Sequence, residues 1–254
     1  MIPPLLLIAG AGKITALALW FFTAQHPAAL LLFFGPDPFV LYALFVPSAQ
    51  GLGRVFTRFT TDRREIWLTI DDGPDPNDTP QILDLLDRHG AKATFFVIGE
   101  RAARWPELAR EIVRRGHEIG HHTHTHPAAT FWCASPRRLG AELDRTLATL
   151  HAAGVRPRWF RAPAGIKHLL LAPALAQRGL RCVGWTVRSG DCRSRSPEKM
   201  AAATAQRLRP GAIVLLHEGP SVPAAVRITG MALLLEATAR QKFSCVLPRA
   251  EQLR

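Results

Sequence analysis

From Ile2 to Gln50 apolar side chains follow one another with hardly a break, and Lys13 and Asp37 are the only charged groups. The stretches "ITALALWFFTA" and "AALLLFFG" are more apolar than anything after Arg54. A cleaved leader would need a basic start and a small-x-small cleavage site, and neither "FFTAQ" nor "VPSAQ" supplies a good one. Residues 1–53 are therefore expected to remain as a membrane anchor ahead of a second unit, residues 54–254. A single span from Ile14 to Gly35 must tolerate Gln25, His26 and Pro27. Two spans, Ile2 to Ala24 and Ala28 to Ser48, must instead tolerate Lys13 and "PDP" at mid-depth. Arg54, Arg58, Arg63 and Arg64 follow the segment directly and would favour a cytoplasmic side by the positive-inside rule. The competing reading is a buried apolar layer on a soluble domain.

Beyond residue 65 the pattern changes to short β-rich runs alternating with helical periods. "IWLTI" reads as a strand, and Asp78 or Thr79 with Pro80 opens a helix running to His89. "ATFFVIG" reads as a strand, and "ERAARWPELAREIVRRG" as helix interrupted at Pro106 and stopped by Gly116. "HEIG", "RWFR", "RCVGW", "AIVLLH" and "FSCVL" supply five further strands. Between them lie helices over 135–153, 168–178, 196–208 and 227–240. Seven strands alternating with helices predict an α/β fold, a parallel sheet closed into a seven-stranded (β/α) barrel rather than left open. Four polar motifs directly follow predicted strands: "DDGP", "HHTHTHP", "RAPAG" and "HEGP". Barrel chemistry gathers at strand ends.

Composition narrows the function classes. The chain has 254 residues, 48% of them hydrophobic, which is ample for a packed core and excludes a disordered protein. Its net charge of +12 comes almost wholly from arginine. No nucleic-acid recognition motif accompanies that charge, so anionic lipid head groups or an acidic glycan fit it better than nucleic acid. Cys133, Cys182, Cys192 and Cys245 show neither CxxC spacing nor a disulfide framework and read as free thiols.

Five of the ten histidines fall within "GHEIGHHTHTHP". His117 and His121, in "HEIGH", match the zinc-protease pattern HExxH, with Glu142 at a plausible distance for a third ligand. That pattern works only within a sustained helix, whereas Gly116 and Gly120 and the following Thr123, Thr125 and Pro127 oppose one. His122 and His126, in "HTHTH", form the rival pair. Two neutral imidazoles, one carboxylate and an open position for water make a common hydrolytic metal site. "DDGP" can supply the carboxylate, because adjacent ionised carboxylates repel unless a cation takes one and leaves the other free as a base.

The stretches "LTIDDGPDP", "HEIGHHTHTHP", "FRAPAG", "WTVRSGD" and "IVLLHEGP", in this order, resemble the polysaccharide deacetylase family, the NodB homology domain of the family 4 carbohydrate esterases. The resemblance covers residues 65 to 247 and implies a distorted seven-stranded (β/α) barrel. It makes Asp72, His122 and His126 ligands of a divalent metal, zinc by preference, with cobalt or nickel as alternatives that ligand chemistry does not distinguish. It makes Asp71 the general base, held by Arg161, and His217 the general acid, oriented by Asp191. Pro163, Ala164, Gly165 and Leu215 would form the substrate pocket, Leu215 against the acetyl methyl and a backbone amide after Pro163 at the oxyanion, where Gly165 permits close approach. His117, His121 and His124 are left as structural or solvated groups, His124 with a possible approach to the metal or substrate.

The chain departs from the family pattern at three places. Ala164 stands where many relatives carry an aromatic residue, Cys192 where many carry tryptophan, and Glu218 where aspartate is usual; the last is expected to matter little. The implied activity is removal of N-acetyl groups from amino sugars of a glycan or glycolipid by an enzyme anchored in a bacterial-type cell membrane. The shortened walls and the anchor leave two other hydrolase substrates open, an O-acetyl ester and a lipid-linked formamido sugar. A catalytically silent glycan-binding module is the alternative of another class.

Overall fold

The computed structural model describes residues 3–254. The apolar N-terminus folds as a helical hairpin in which α1 (Pro4–Phe22) packs against α2 (His26–Phe34), and α3 (Asp37–Phe45) continues the second arm after a break at Gly35 and Pro36. The two arms coincide with the two apolar segments of the two-span reading. The arms have 19 and 20 residues and so reach about 30 Å at ~1.5 Å per residue, the thickness of a hydrocarbon core. Lys13, the residue weighing against two spans, pairs with Asp37 at 2.9 Å and donates to the Phe33 carbonyl at 2.7 Å. The two charges thus neutralise each other within the hairpin. Only 11% and 17% of the two apolar windows are buried, so the hairpin is not an internal layer of the domain.

The remainder is one curled sheet covered by helices. Its strands are β1 (Val55–Phe56), β2 (Glu65–Asp71), β3 (Ala93–Val97), β4 (Glu118–His121), β5 (Trp159–Phe160), β6 (Arg181–Val183), β7 (Val187–Arg188), β8 (Ala212–His217) and β9 (Ser244–Cys245). They lie side by side in the order β1-β6-β5-β4-β3-β2-β8-β7, with β9 also on β2, and every ladder is parallel. The chain just after β1 closes this strip, since β1 lies on β6 while Arg58 bridges antiparallel to Ala212 of β8, the strand before the last. The result is a distorted barrel. All seven expected strands are present; β1 and β7 are additional, each two residues long and too short for a period to register.

The helices are α4 (Thr79–Arg88), α5 (Gly99–Arg104), α6 (Pro106–Arg114), α7 (Pro136–Ala152), α8 (Leu171–Ala176), α9 (Pro197–Ala205) and α10 (Arg227–Arg240). Ser135 caps α7 by accepting from the Arg138 amide, and Gly116 just beyond α6 takes φ 77°, a conformation that costs glycine little. α8 is shorter than the expected helix over 168–178. His168 is held in a turn ahead of it, one ring nitrogen accepting from the Leu170 amide and the other within 2.9 Å of the Ala134 carbonyl.

Strand alternation decides what enters the barrel. On β2 the even positions Ile66, Leu68 and Ile70 join the large core beneath the helices, while Trp67 joins the interior cluster of Phe56, Phe59, Phe96, Trp159, Val183, Ile213 and Leu253. Trp67 and Trp159 meet edge to face with centroids 5.6 Å apart. The same parity carries Thr69 and Asp71 inward above Trp67. On β8 it carries Leu215 and His217 inward above Ile213, and the register sets Asp71 opposite His217. Two titratable side chains are thereby placed side by side on neighbouring strands, about 5 Å apart in the sheet.

Candidate metal centre and catalytic pocket

The C-terminal strand ends carry the chemistry. Asp72 follows β2, His122 follows β4, Arg161 follows β5, Asp191 follows β7 and His217 closes β8. Backbone strain gathers at the same place: Asp72 (φ 73°), Thr123 (φ 64°), His126 (φ 53°) and Ala164 (φ 53°) are four of the five non-glycine residues with positive φ among those described. Such conformations cost about 1–3 kcal/mol each and persist only where surrounding bonds fix them.

Those bonds are present. The Asp72 carbonyl accepts from Arg101 at 2.6 Å, and its Oδ2 accepts from the Ser221 hydroxyl at 3.0 Å. Oδ1 is buried without a hydrogen-bond partner, and it faces His122 Nε2 at 3.5 Å and His126 Nε2 at 3.4 Å. The His122 Nδ1–H donates to the Arg161 carbonyl at 2.9 Å, which leaves Nε2 with a free lone pair beside Asp72 Oδ1. Burial, with His122 beside it, lowers the His126 pKa to about 4, so that ring is neutral at pH 7 and able to ligate. Asp72 Oδ1 thus stands from each imidazole nitrogen at close to the ~3.3 Å edge of a tetrahedral zinc site with bonds of ~2.0–2.1 Å, and the three donor atoms lie within 4.8 Å of one another. The donor set fits a divalent cation.

Asp71 is placed beside this triad with its Oδ2 3.7 Å from His122 Nε2. Its Oδ1 accepts from Arg161 at 2.7 Å. Arg161 is almost fully buried, and its guanidinium also donates to Thr69 Oγ1 (2.8 Å), the Val183 carbonyl (3.2 Å) and the Gly184 carbonyl (2.8 Å), while stacking over Phe96. With this fork in four bonds, Asp71 has one orientation. Across the pocket, Asp191 accepts from His217 twice, Oδ2 from the backbone amide at 2.7 Å and Oδ1 from Nδ1 at 2.9 Å. Burial alone would lower the pKa of this imidazole, but the Asp191 carboxylate outweighs it and raises the value well above the ordinary range.

A cavity of about 110 Å³ joins these groups and is lined by Asp71, Asp72, His122, His126, Ala164, Gly165, Trp185, Arg188, Cys192, Leu215 and His217. Pro163 is buried and does not line it. Gly165, at φ 74°, does give close approach, but to Pro47 and Trp185: a Cβ there would meet them at 2.6 and 2.7 Å. The Gly165 and Ile166 amides are committed to the carbonyls of Ala162 and Pro163, so the backbone donor left at this wall is Ala164.

The rival histidines are accounted for elsewhere. "HEIGH" is a strand, not a helix, so His117 and His121 are far apart along it. His121 Nε2 lies 3.0 Å from the Leu143 carbonyl and its Nδ1 accepts from the Thr123 amide. Burial lowers both pKa values to about 4. His124 is buried against Gly99 and Thr146, away from the pocket. Glu142 is no ligand: it accepts from the amides of His124 (2.8 Å) and Thr125 (2.9 Å) and from the Thr125 hydroxyl (2.7 Å), clamping the loop between the two candidate ligands. Glu218, expected to matter little, is fully buried beneath the "DDGP" turn, bonded by the Thr79 hydroxyl, and burial pushes its pKa up to about 8. Arg101 and Ser221 are site residues that no local sequence signal singled out; Glu142 entered only as a third ligand for HEIGH, and Trp185 and Arg188 only as parts of WTVRSGD.

The polysaccharide deacetylase profile matches residues 58–183. A chitooligosaccharide deacetylase of Bradyrhizobium sp. (strain ANU 289) is 39% identical over 158 residues, which cover 61% of this chain and 71% of that protein. The chain belongs to the polysaccharide deacetylase family. A second relative, the peptidoglycan-N-acetylglucosamine deacetylase of Bacillus cereus, is 32% identical over 160 residues, covering 63% of this chain and 58% of its own. Among solved structures, a family 4 carbohydrate esterase from Streptomyces lividans in complex with acetate superposes with a TM-score of 0.67 at 28% identity over 75% of this chain and 96% of that one. A peptidoglycan N-acetylglucosamine deacetylase bound to a hydroxamate-type benzamide gives 0.68 at 30% identity over 75% and 88%. The chain thus has the fold of polysaccharide deacetylases, hydrolases of acetylated sugars, and the matched region excludes the N-terminal hairpin.

Proposed function

We propose that this polysaccharide deacetylase removes N-acetyl groups from an amino sugar of a glycan or glycolipid in a metal-dependent hydrolysis. The observation carrying the reading is the orphaned, buried Asp72 Oδ1 facing two imidazole nitrogens, with a second, bonded carboxylate alongside. Asp72, His122 and His126 would hold the cation, zinc by preference, with cobalt or nickel able to use the same donors. Bound there, it would supply Lewis acidity, polarising the amide carbonyl and acidifying water. Asp71, oriented by Arg161, takes a proton from the attacking water as the water oxygen bonds to the carbonyl carbon. His217, protonated beside Asp191, gives its proton to the nitrogen as the C–N bond breaks, and acetate and the free amine result. The Ala164 amide is the backbone donor for the developing oxyanion, and Leu215 forms the floor beneath the acyl methyl.

Residues 1–53 form the membrane anchor as a two-span hairpin, and residues 54–254 form the catalytic unit. The measurement is acetate release from N-acetylated sugar oligomers by the purified full chain. Chelation should abolish it and zinc restore it, and Asp71→Asn should retain metal while losing turnover. Turnover by Asp71→Asn would remove the base assignment. Comparing acetate with formate release, on amide and on ester substrates, separates the deformylase and O-acetyl esterase readings. A pseudoenzyme of the same esterase family from Bacillus anthracis shares the fold, with a TM-score of 0.65 at 25% identity. A silent module would bind glycan tightly and release no product with metal present; the complete base, ligand and acid set here argues against one.

A further inference from the structure

The hairpin is fastened to the wall of the catalytic pocket. Lys167, two residues beyond Gly165, grips the end of α3 with both backbone and side chain: its amide donates to the Leu44 carbonyl at 2.9 Å and its Nζ to the Val46 carbonyl at 2.6 Å. These are the carbonyls that a helix end leaves without partners. Lys167 is only 3% exposed, so the grip is internal. Pro47 then packs directly on Gly165, whose other neighbour is Trp185, and both Gly165 and Trp185 line the pocket. Beside this junction Phe45 of α3 meets Trp132 with ring centroids 5.6 Å apart.

The apolar surface of the hairpin continues onto the domain at this point. Outside the hairpin, the exposed large hydrophobic residues among those described are Val113, Trp132, Leu169 and Leu170. Three of these four belong to the junction: Trp132 touches Phe45, and Leu169 and Leu170 follow the gripping Lys167, with their turn tied through His168 to the Ala134 carbonyl just beyond Trp132. Scattered single apolar residues need no explanation, but a cluster at the foot of a membrane hairpin marks surface that meets lipid.

Depth follows from chain length. Pro47 lies two residues beyond the last helical residue of α3, at most about 7 Å along the chain. The head-group layer on each face of a bilayer is roughly 5–7 Å thick. One wall of the pocket therefore stands at head-group depth. A polymer running past the reacting sugar towards that wall would meet Pro47 and the bilayer surface. A sugar attached to a lipid continues into the bilayer without conflict.

Resting on the deacetylase reading of this site, we propose that the substrate is an amino sugar carried on a lipid anchored in the same membrane, presented to the pocket at the bilayer surface. The test uses the full chain in phospholipid nanodiscs with three probes: hexadecyl N-acetylglucosaminide inserted in the disc, the methyl glycoside of the same sugar, and soluble chitotetraose. The expected result is a kcat/KM for the hexadecyl glycoside at least 100-fold above that for either soluble probe. The double substitution Leu169→Ser with Leu170→Ser should lower turnover of the hexadecyl probe at least tenfold while chitotetraose turnover stays within twofold. Inserting ten Gly/Ser residues between Phe45 and Val46 should likewise weaken the lipid probe selectively. Equal efficiency on chitotetraose and the hexadecyl glycoside, or an equal loss on both in the double variant, overturns the lipid-linked substrate and leaves the deacetylase reading standing. Failure to deacetylate any of the three, with zinc present, overturns both.

Discussion

Glu142 offers the sharpest test of how the metal centre is built, because it touches neither a ligand side chain nor the pocket. Its carboxylate, buried on the inner face of α7, accepts three hydrogen bonds from the two residues between Thr123 and His126. Glu142→Ala leaves two amides and a hydroxyl without their acceptor. Hydrogen bonds to a charged group contribute about 1.5–3 kcal/mol each, so losing the two amide bonds costs about 3–6 kcal/mol before water enters the gap. Part of that loss falls on the fold and part on the loop holding His126 at positive φ. Loss of an outer-shell partner typically weakens metal binding about 10–100-fold. Chelator competition on the purified domain should show zinc binding weakened by that factor, with the melting temperature of the metal-free protein lowered as well. Glu142→Gln keeps one oxygen for both amides and should bind zinc within threefold of the parent. Undiminished zinc affinity in Glu142→Ala would refute the clamp.

Three further outcomes follow from the same geometry. Ser221→Ala removes the bond that turns Asp72 Oδ2 away from the metal position, and should lower zinc affinity about tenfold with little change in melting temperature; competition titration measures it. Asp191→Asn should move the alkaline limb of the kcat/KM profile to lower pH: Asp191 raises the His217 pKa, so without its charge the protonated acid is lost earlier as pH rises. An unmoved limb would mean that another group sets it. Gly165→Ala combines a φ of 74° with Cβ contacts of 2.6 and 2.7 Å to Pro47 and Trp185. It should destabilise the domain by about 1–3 kcal/mol and loosen the hairpin from the pocket, as seen by thermal unfolding and by faster proteolysis near Pro47.

The strand and helix series was legible because alternation and helical periods are local properties, and strand ends mark where barrel chemistry gathers. The candidate metal position was legible for a related reason. HTHTH cannot continue a helix after Gly116, so HExxH gave way to the pair five residues further along, and in the fold HEIGH is a strand. Glu142 was visible in the sequence but attached to the wrong idea, a third ligand; only the packing of α7 against the loop reveals it as an acceptor for backbone amides. Ser221 and Arg101 carried no signal, since each reaches Asp72 across 149 and 29 residues of chain, and Trp185, though part of WTVRSGD, was not marked there as a pocket wall. Glu218, read as a minor change, is buried under the Asp72 turn because its strand parity points it away from the barrel interior.

By itself the sequence determined the alternating α/β plan, the apolar N-terminus and the residue types able to bind a cation and exchange protons, because each rests on neighbours within a few positions. The tertiary structure decided which atoms converge: the register setting Asp71 opposite His217, the guanidinium of Arg161 filling the space beneath them, and the hairpin laid against the pocket wall by Lys167 and Pro47. Those depend on strands and turns distant in the chain being brought to one end of a barrel, where a difference of an ångström separates a ligand from a hydrogen-bonded histidine.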